Sequence, residues 1–323
     1  MSTALSSRRA FLAQAGSCAA HIALAAAVTP AAARTLWAAV PRGSVVAQEK
    51  FGRLEKIADG VWALISTPLT GDRTTLANGG IIAGRSGVLA IEGFFQPAGA
   101  RWLSERAREL TGKWPTHVAV THYHADHANG VAGYHTDSQT PPIHATHRTH
   151  TDVLQRNQPA DTERTVALRD TVMLPASAAT TLDLGARIVH LIPRAGHTAS
   201  DLSIEIADPS VVFCGDLVWN AMFPNYVDAE PSRLANAVQS LRRDRETIYV
   251  PGHGAVGGVA DLTRYQAMLE EIERAGREAH AAGLTAPAAA AAYSLPESLG
   301  EWTLFSRTFF DRAFEAWYRE LGG

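Results

Sequence analysis

Thr121-His122-Tyr123-His124-Ala125-Asp126-His127 follows directly on the apolar run Val118-Ala119-Val120. Four side chains able to bind a metal fall within six positions. In an extended segment, side chains two apart point the same way, so His122 and His124 can face one point. Asp126 and His127 come where the chain turns toward a helix and can face a second point nearby. Neutral imidazoles with a carboxylate are the donor set expected for zinc. The bland alternative is a solvated histidine cluster, and three later residues argue against it.

His197 stands in Ala195-Gly196-His197-Thr198, Asp216 in Cys214-Gly215-Asp216, and His253 in Pro251-Gly252-His253-Gly254. Each comes after an expected strand and adjoins glycine, whose missing side chain lets backbone crowd a site. The strands are short Val- and Ile-rich runs between turn residues: 61–65, 80–83, 88–91 and 116–121, then 188–192, 202–206, 211–214 and 247–250. Helices are expected over 98–110, with Gly112 placed to cap the end, and over 231–243. Two halves with strands inside and helices outside predict an α/β protein, an αββα sandwich over residues 51–257 reached through a linker over 34–50. From Asp261, Leu262, Tyr265, Leu269 and Ile272 recur at helical spacing. A last helix is expected over 297–321, carrying Trp302, Phe305, Phe309, Phe310, Phe314 and Trp317. Residues 258–323 thus read as a C-terminal helical extension packed on the sandwich.

The 323 residues are 46% hydrophobic and 19% charged, the composition of a soluble globular chain with a sizeable core. A formal net charge of −3 with no basic run makes a nucleic-acid partner a poor fit. Ser7-Arg8-Arg9-Ala10-Phe11-Leu12 matches a twin-arginine export signal, followed by an Ala-rich stretch. Small side chains for cleavage stand at Ala31-Ala32-Ala33. The expectation is a signal over 1–33, a periplasmic or secreted product, and no stable membrane insertion after cleavage. That product keeps only Cys214, so no internal disulfide staples the core. A metal cluster is the natural substitute.

With its H-x-H-x-D-H motif and separate His, Asp and His motifs in order, the sequence resembles the metallo-β-lactamase-fold hydrolase superfamily from about Ile57 to Gly254. The resemblance implies two zinc ions per chain. His122, His124 and His197 would hold one, Asp126, His127 and His253 the other, and Asp216 would bridge them. Iron or manganese also suits these donors. Two cations roughly 3.5–4 Å apart can share a water and lower its pKa toward about 7, which supplies hydroxide to attack a carbonyl or phosphoryl centre. Asp126 and Asp216 would then be the catalytic carboxylates. Where the family usually ends its first-half strand in Asp, this sequence has Glu92, which can still accept a bond from a ligand imidazole but with a reach changed by its extra methylene.

Asp216, where β-lactamases of this fold usually carry Cys or Ser, points to the glyoxalase-II-like branch. Export and the lack of a clear Lys and Arg cluster for glutathione point on to periplasmic members associated with sulfur oxidation and quinoproteins. A small-molecule ester, thioester, lactone or lactam is expected. A mononuclear iron sulfur dioxygenase, a β-lactamase and a non-catalytic metal-binding protein are the alternatives. The polar, turn-rich stretch 67–78 sits where related hydrolases keep a mobile flap. Trp219, Asn220, Phe223 and Tyr226 follow Asp216 and either line the pocket or pack the sandwich against the extension. His144, His147 and His150 lie in polar sequence and are read as surface or core residues.

Overall fold

In the computed structural model, which describes residues 42–67 and 71–322, β3 (Val61–Ser66) splits its side chains between two layers. Val61, Ala63 and Ile65 join one apolar cluster while Trp62 and Leu64 join another, as the two-residue period of a strand requires. With β1 (Ser44–Glu49), β2 (Gly52–Ala58), β4 (Gly79–Ala83) and β5 (Val88–Ile91) it forms an antiparallel meander. Three parallel strands, β6 (His117–Ala119), β7 (Ile143–Thr146) and β8 (Val172–Leu174), complete an eight-stranded sheet in chain order. The second sheet has β9 (Thr180–Asp183), β10 (Ile188–Arg194), β11 (Asp201–Ile206) and β12 (Val211–Trp219) antiparallel, with β13 (Ile248–His253) parallel to β12.

Between the sheets lie Val61, Ile65, Leu89, Leu191, Ile204, Phe213 and Val250. Outside the first sheet, α1 (Pro97–Thr111) buries Leu103 and Ala107 against Leu64, Val88 and Val118. Pro97 opens this helix, and left-handed Gly112 (φ 74°) closes it by donating its N–H to Arg108 O. The short α2 (Ala125–Ala128), α3 (His147–Arg156) and α4 (Thr162–Ala167) link the parallel strands. Outside the second sheet, α5 (Pro231–Ser240) and α6 (Val259–Ala281) pack with α7 (Ala286–Ala292) and α8 (Thr308–Gly322). The result is the αββα sandwich with its helical extension. No helix among the described residues is long and apolar enough to cross a membrane.

Among the boundaries that differ from expectation, three shape the site and the extension. The linker expected over 34–50 ends in β1, whose mostly exposed side chains left no apolar face to read. The expected helix over 297–321 is instead a 3₁₀ turn at Glu297–Leu299, an irregular stretch and α8. Gly300 (φ 77°) breaks the helix, and Thr303 then exchanges backbone hydrogen bonds with Ala221 and Phe223. Finally, β12 runs on to Trp219, so Asp216 lies within a strand rather than behind one. The export signal expected over 1–33 lies outside the described residues.

Candidate metal centre

One edge of the sandwich collects the ligand candidates. The chain leaves β6, and His124 stands at the N-cap of α2, whose single turn carries Asp126 and His127. His197 sits in the turn from β10 to β11, and His253 ends β13. Gly215 (φ 53°) shifts the register of β12 and swings Asp216 toward the others. A Cβ on Gly252 would lie 1.9 Å from Asp216 Oδ1, so only glycine fits beside that carboxylate.

The seven side chains fall into two buried clusters, His122, His124, His197 and Asp216, and Asp126, His127 and His253. His124 Nδ1 lies 3.0 Å from both His122 Nε2 and His197 Nε2. Asp216 Oδ2 is 3.3 Å from His197 Nε2 and 3.9 Å from His122 Nε2. Its Oδ1 is 3.1 Å from His127 Nε2 and 3.3 Å from His253 Nε2. Asp126 Oδ2 stands 3.3 Å from the same His253 nitrogen. Asp216 therefore gives one oxygen to each cluster.

Hydrogen bonds fix which ring nitrogen faces inward. Glu92 can only accept, and Thr121 Oγ1 donates to its Oε1 at 2.5 Å. Thr121 Oγ1 has then spent its proton, so it accepts from His122 Nδ1 at 3.0 Å and leaves the Nε2 lone pair free for the centre. His127 Nδ1 donates to the same Glu92 oxygen at 2.9 Å, which turns its Nε2 inward too. His124 donates from Nε2 to Asp228 at 3.1 Å, leaving Nδ1 inward. Glu92 thus steadies a histidine in each cluster. Its backbone is left-handed (φ 78°), which costs roughly 1–3 kcal/mol, and Tyr134 OH holds its carbonyl oxygen at 2.8 Å.

These residues suit metal. His127 Nε2, His253 Nε2 and both Asp216 oxygens make no well-formed hydrogen bond, although Oδ1 lies 3.1 and 3.3 Å from the two nitrogens and Oδ2 lies 3.3 Å from His197 Nε2. Buried polar atoms in that state are costly unless a shared centre satisfies them. Charge agrees. Burial lowers His122 well below the ordinary imidazole value, helped by His127 and His124. Burial also works against His127, yet Asp216, Glu92 and Asp126 raise it well above that value. His253 is pushed up to about 9, burial being outweighed by Asp216 and Asp126. Burial would raise Asp216, but His253, His127 and His197 hold it well below the usual carboxylate range. Such a site favours positive charge, which divalent ions supply on displacing the protons.

Two supporting residues escaped the sequence reading. Asp228 lies in the loop after β12, and nothing in its local sequence marks it. Asp201 accepts from Thr198 N at 3.0 Å and from Thr198 Oγ1 at 2.8 Å, which pins the loop of His197. Burial pushes Asp201 up to about 7 despite those bonds.

The proposed substrate contacts separate. The Trp219 ring lies 4.1 Å from His253, with Phe305 and Phe309 each 6.2 Å behind it. Asn220 Nδ2 donates to Ala255 O at 2.9 Å, tying down the loop after His253. Phe223 and Tyr226 are buried, as Trp219 is, and Phe223 meets Phe310 of the extension at 4.9 Å, which is the packing alternative for these residues. In the expected flap, residues 75–78 are buried, and Asn78 Nδ2 donates to Pro251 O and Gly254 O. That end is anchored to the His253 loop. His144, His147 and His150 do not converge: His144 pairs with His117 at 3.1 Å, His147 is exposed, and His150 meets Leu168 O.

A profile of the metallo-beta-lactamase superfamily matches residues 83–253, just over half of the 323, and this span holds all seven ligand candidates. A hydroxyacylglutathione hydrolase from Shewanella baltica (strain OS223) is 27% identical over 124 residues, 38% of this chain and 41% of that protein. The match therefore spans less than half of that relative. Among solved structures, a metallo-beta-lactamase from Pontibacter korlensis superposes with a TM-score of 0.55 at 19% identity, covering 68% of this chain and 99% of that one. A stereoselective inverting sec-alkylsulfatase from Pseudomonas sp. superposes with a TM-score of 0.64 at 16% identity, covering 83% of this chain and 50% of its own. That share exceeds residues 1–257, so the likeness in fold reaches into the helical extension. The chain belongs to the metallo-beta-lactamase superfamily.

Proposed function

We propose that this superfamily member is an exported hydrolase with two zinc ions per chain that attacks the carbonyl of an ester, thioester, lactone or lactam. The observation that carries the reading is Asp216, whose two oxygens face two separate clusters of inward-turned nitrogens. His122, His124 and His197 with Asp216 Oδ2 would hold one ion, and Asp126, His127 and His253 with Asp216 Oδ1 the other. Ions bound there would supply a strongly polarised water and a Lewis-acid grip on the attacked oxygen.

The chain's own contribution is orientation and exclusion. Glu92, Thr121 and Asp228 hold three rings with their lone pairs inward, so little reorganisation is left for the reaction. Burial of all seven side chains keeps bulk water out and strengthens every charge interaction inside. Asp126 would both hold an ion and orient the attacking water. The hydrolase named among the relatives supports the reaction class. The twin arginines Arg8 and Arg9 support export.

Metal analysis with a substrate panel on the full chain tests this. The panel holds an ester, a thioester, a lactone and a lactam, with a secondary alkyl sulfate added because of the alkylsulfatase likeness. The expected result is about two zinc ions per chain and turnover of a carbonyl substrate. About one iron with sulfite formation would replace the proposal with sulfur dioxygenation, and metal without turnover would leave a binding protein. Replacing Arg8 and Arg9 with Lys should trap the precursor in the cytoplasm, and normal periplasmic accumulation would contradict export.

A further inference from the structure

Asp228 belongs to neither cluster, yet it is engaged on every side. Its Oδ2 takes the His124 Nε2 proton at 3.1 Å and also the hydroxyl proton of Tyr123. Its Oδ1 takes a guanidinium N–H of Arg156 at 2.8 Å. Arg156 is the last residue of α3, and its guanidinium lies 4.3 Å over the Tyr123 ring. The next residue, Asn157, donates from Nδ2 to Tyr123 O at 2.7 Å. The end of α3 therefore grips the motif through Tyr123 on one side and through Asp228 on the other.

We propose that Asp228 is the positioning residue for the three-histidine half of the centre, with Arg156 and Tyr123 setting Asp228 in turn. A neutral imidazole carries one proton, so one nitrogen donates while the other offers a lone pair. The H-x-H spacing leaves open which nitrogen of His124 faces the ion. An acceptor-only carboxylate on Nε2 decides it and also fixes the plane of the ring. An ordinary structural ion pair between Arg156 and Asp228 would need neither the Tyr123 hydroxyl nor the ring of a ligand on the same oxygen. This inference rests on the metal-centre reading and adds the element that orients its second histidine.

The test is cobalt(II) titration of the full chain, followed by visible absorption under chelator competition, with melting of the metal-free protein measured on the same samples. Asp228→Ala should weaken one of the two ions roughly ten- to a hundred-fold and change the cobalt spectrum. Asp228→Asn should lose less, because its amide oxygen still accepts from Nε2. Arg156→Gln should shift affinity in the same direction by a smaller factor. Lower melting with unchanged cobalt affinity and spectrum would reduce Asp228 to a structural ion pair and overturn the proposal. Should Asp228→Ala fail to fold, unchanged affinity in both Asp228→Asn and Arg156→Gln would overturn it equally. A wild-type chain that takes up no cobalt would instead remove the metal-centre reading beneath it.

Discussion

In the three-histidine half of the centre, His122 and His124 each give a ring proton to a polar partner, Thr121 or Asp228. In the other half, His127 leans on Glu92, while His253 lies against the Trp219 ring. Trp219 is backed in turn by Phe305 and Phe309 from the helical extension. Similar donors are thus steadied by different physics: directional hydrogen bonds orient His122, His124 and His127, whereas His253 packs against an aromatic ring. The profile match ends at residue 253, so Phe305 and Phe309 lie outside the matched span. Damage to the extension should reach His253 before it reaches His122.

The sharpest way to break this contrast is to remove the group both halves share. Asp216→Ala should drop zinc content from about two to at most one per chain and abolish turnover, read by elemental analysis. Retention of two ions would mean that the halves are independent. Next in size are the packing variants. Phe309→Ala and Phe223→Ala should each cost roughly 3–5 kcal/mol in denaturant unfolding. Of these two residues Phe309 alone backs Trp219, so only its variant should also weaken the ion at His253. Equal metal affinity in the two variants would dissolve the link to the extension. Glu92→Gln should weaken both ions, by roughly ten- to a hundred-fold, because one carboxylate serves Thr121 and His127 together. A one-sided loss in a two-step zinc titration would assign Glu92 to a single half.

How much of this the sequence carried depended on whether a role was local. β-branched runs between glycines made most of the sandwich readable, and Gly196, Gly215 and Gly252 marked the ligand candidates beside them. β1 and β2 were missed because SVVAQE and GRLEKIA hold few apolar residues in alternation, and β1 is an edge strand. Trp219 and Phe223 looked equivalent, four residues apart in one aromatic stretch. Thr303 of the extension pairs with residues 221–223, a contact that nothing in the local sequence announces. Asp228 was invisible because its partner His124 lies 104 residues away. Glu92 looked like a defect. Its extra methylene, set on a left-handed backbone, lets it reach partners in both halves.

The smallest effect lies away from the centre and serves as a control. Burial lowers His144 to about 4, with neighbouring His117 adding to the shift. A folded-state value below the ordinary 6.5 means that the unfolded chain takes the proton first as pH falls. The stability from His144 is fully present above about 6.5 and is lost as pH drops toward 4. Denaturant unfolding of metal-free protein should show His144→Gln with a flatter acid limb than wild type. Superimposable limbs would remove His144 from the account.

The central claim, that Asp216 joins the two clusters into one dinuclear centre, is tested most directly by anomalous diffraction from crystals of the chain grown with zinc. Two peaks should flank Asp216, one among His122, His124 and His197 and one among Asp126, His127 and His253, roughly 3.5–4 Å apart. A single peak among His122, His124 and His197, with nothing at His127 and His253 in saturating zinc, would contradict it.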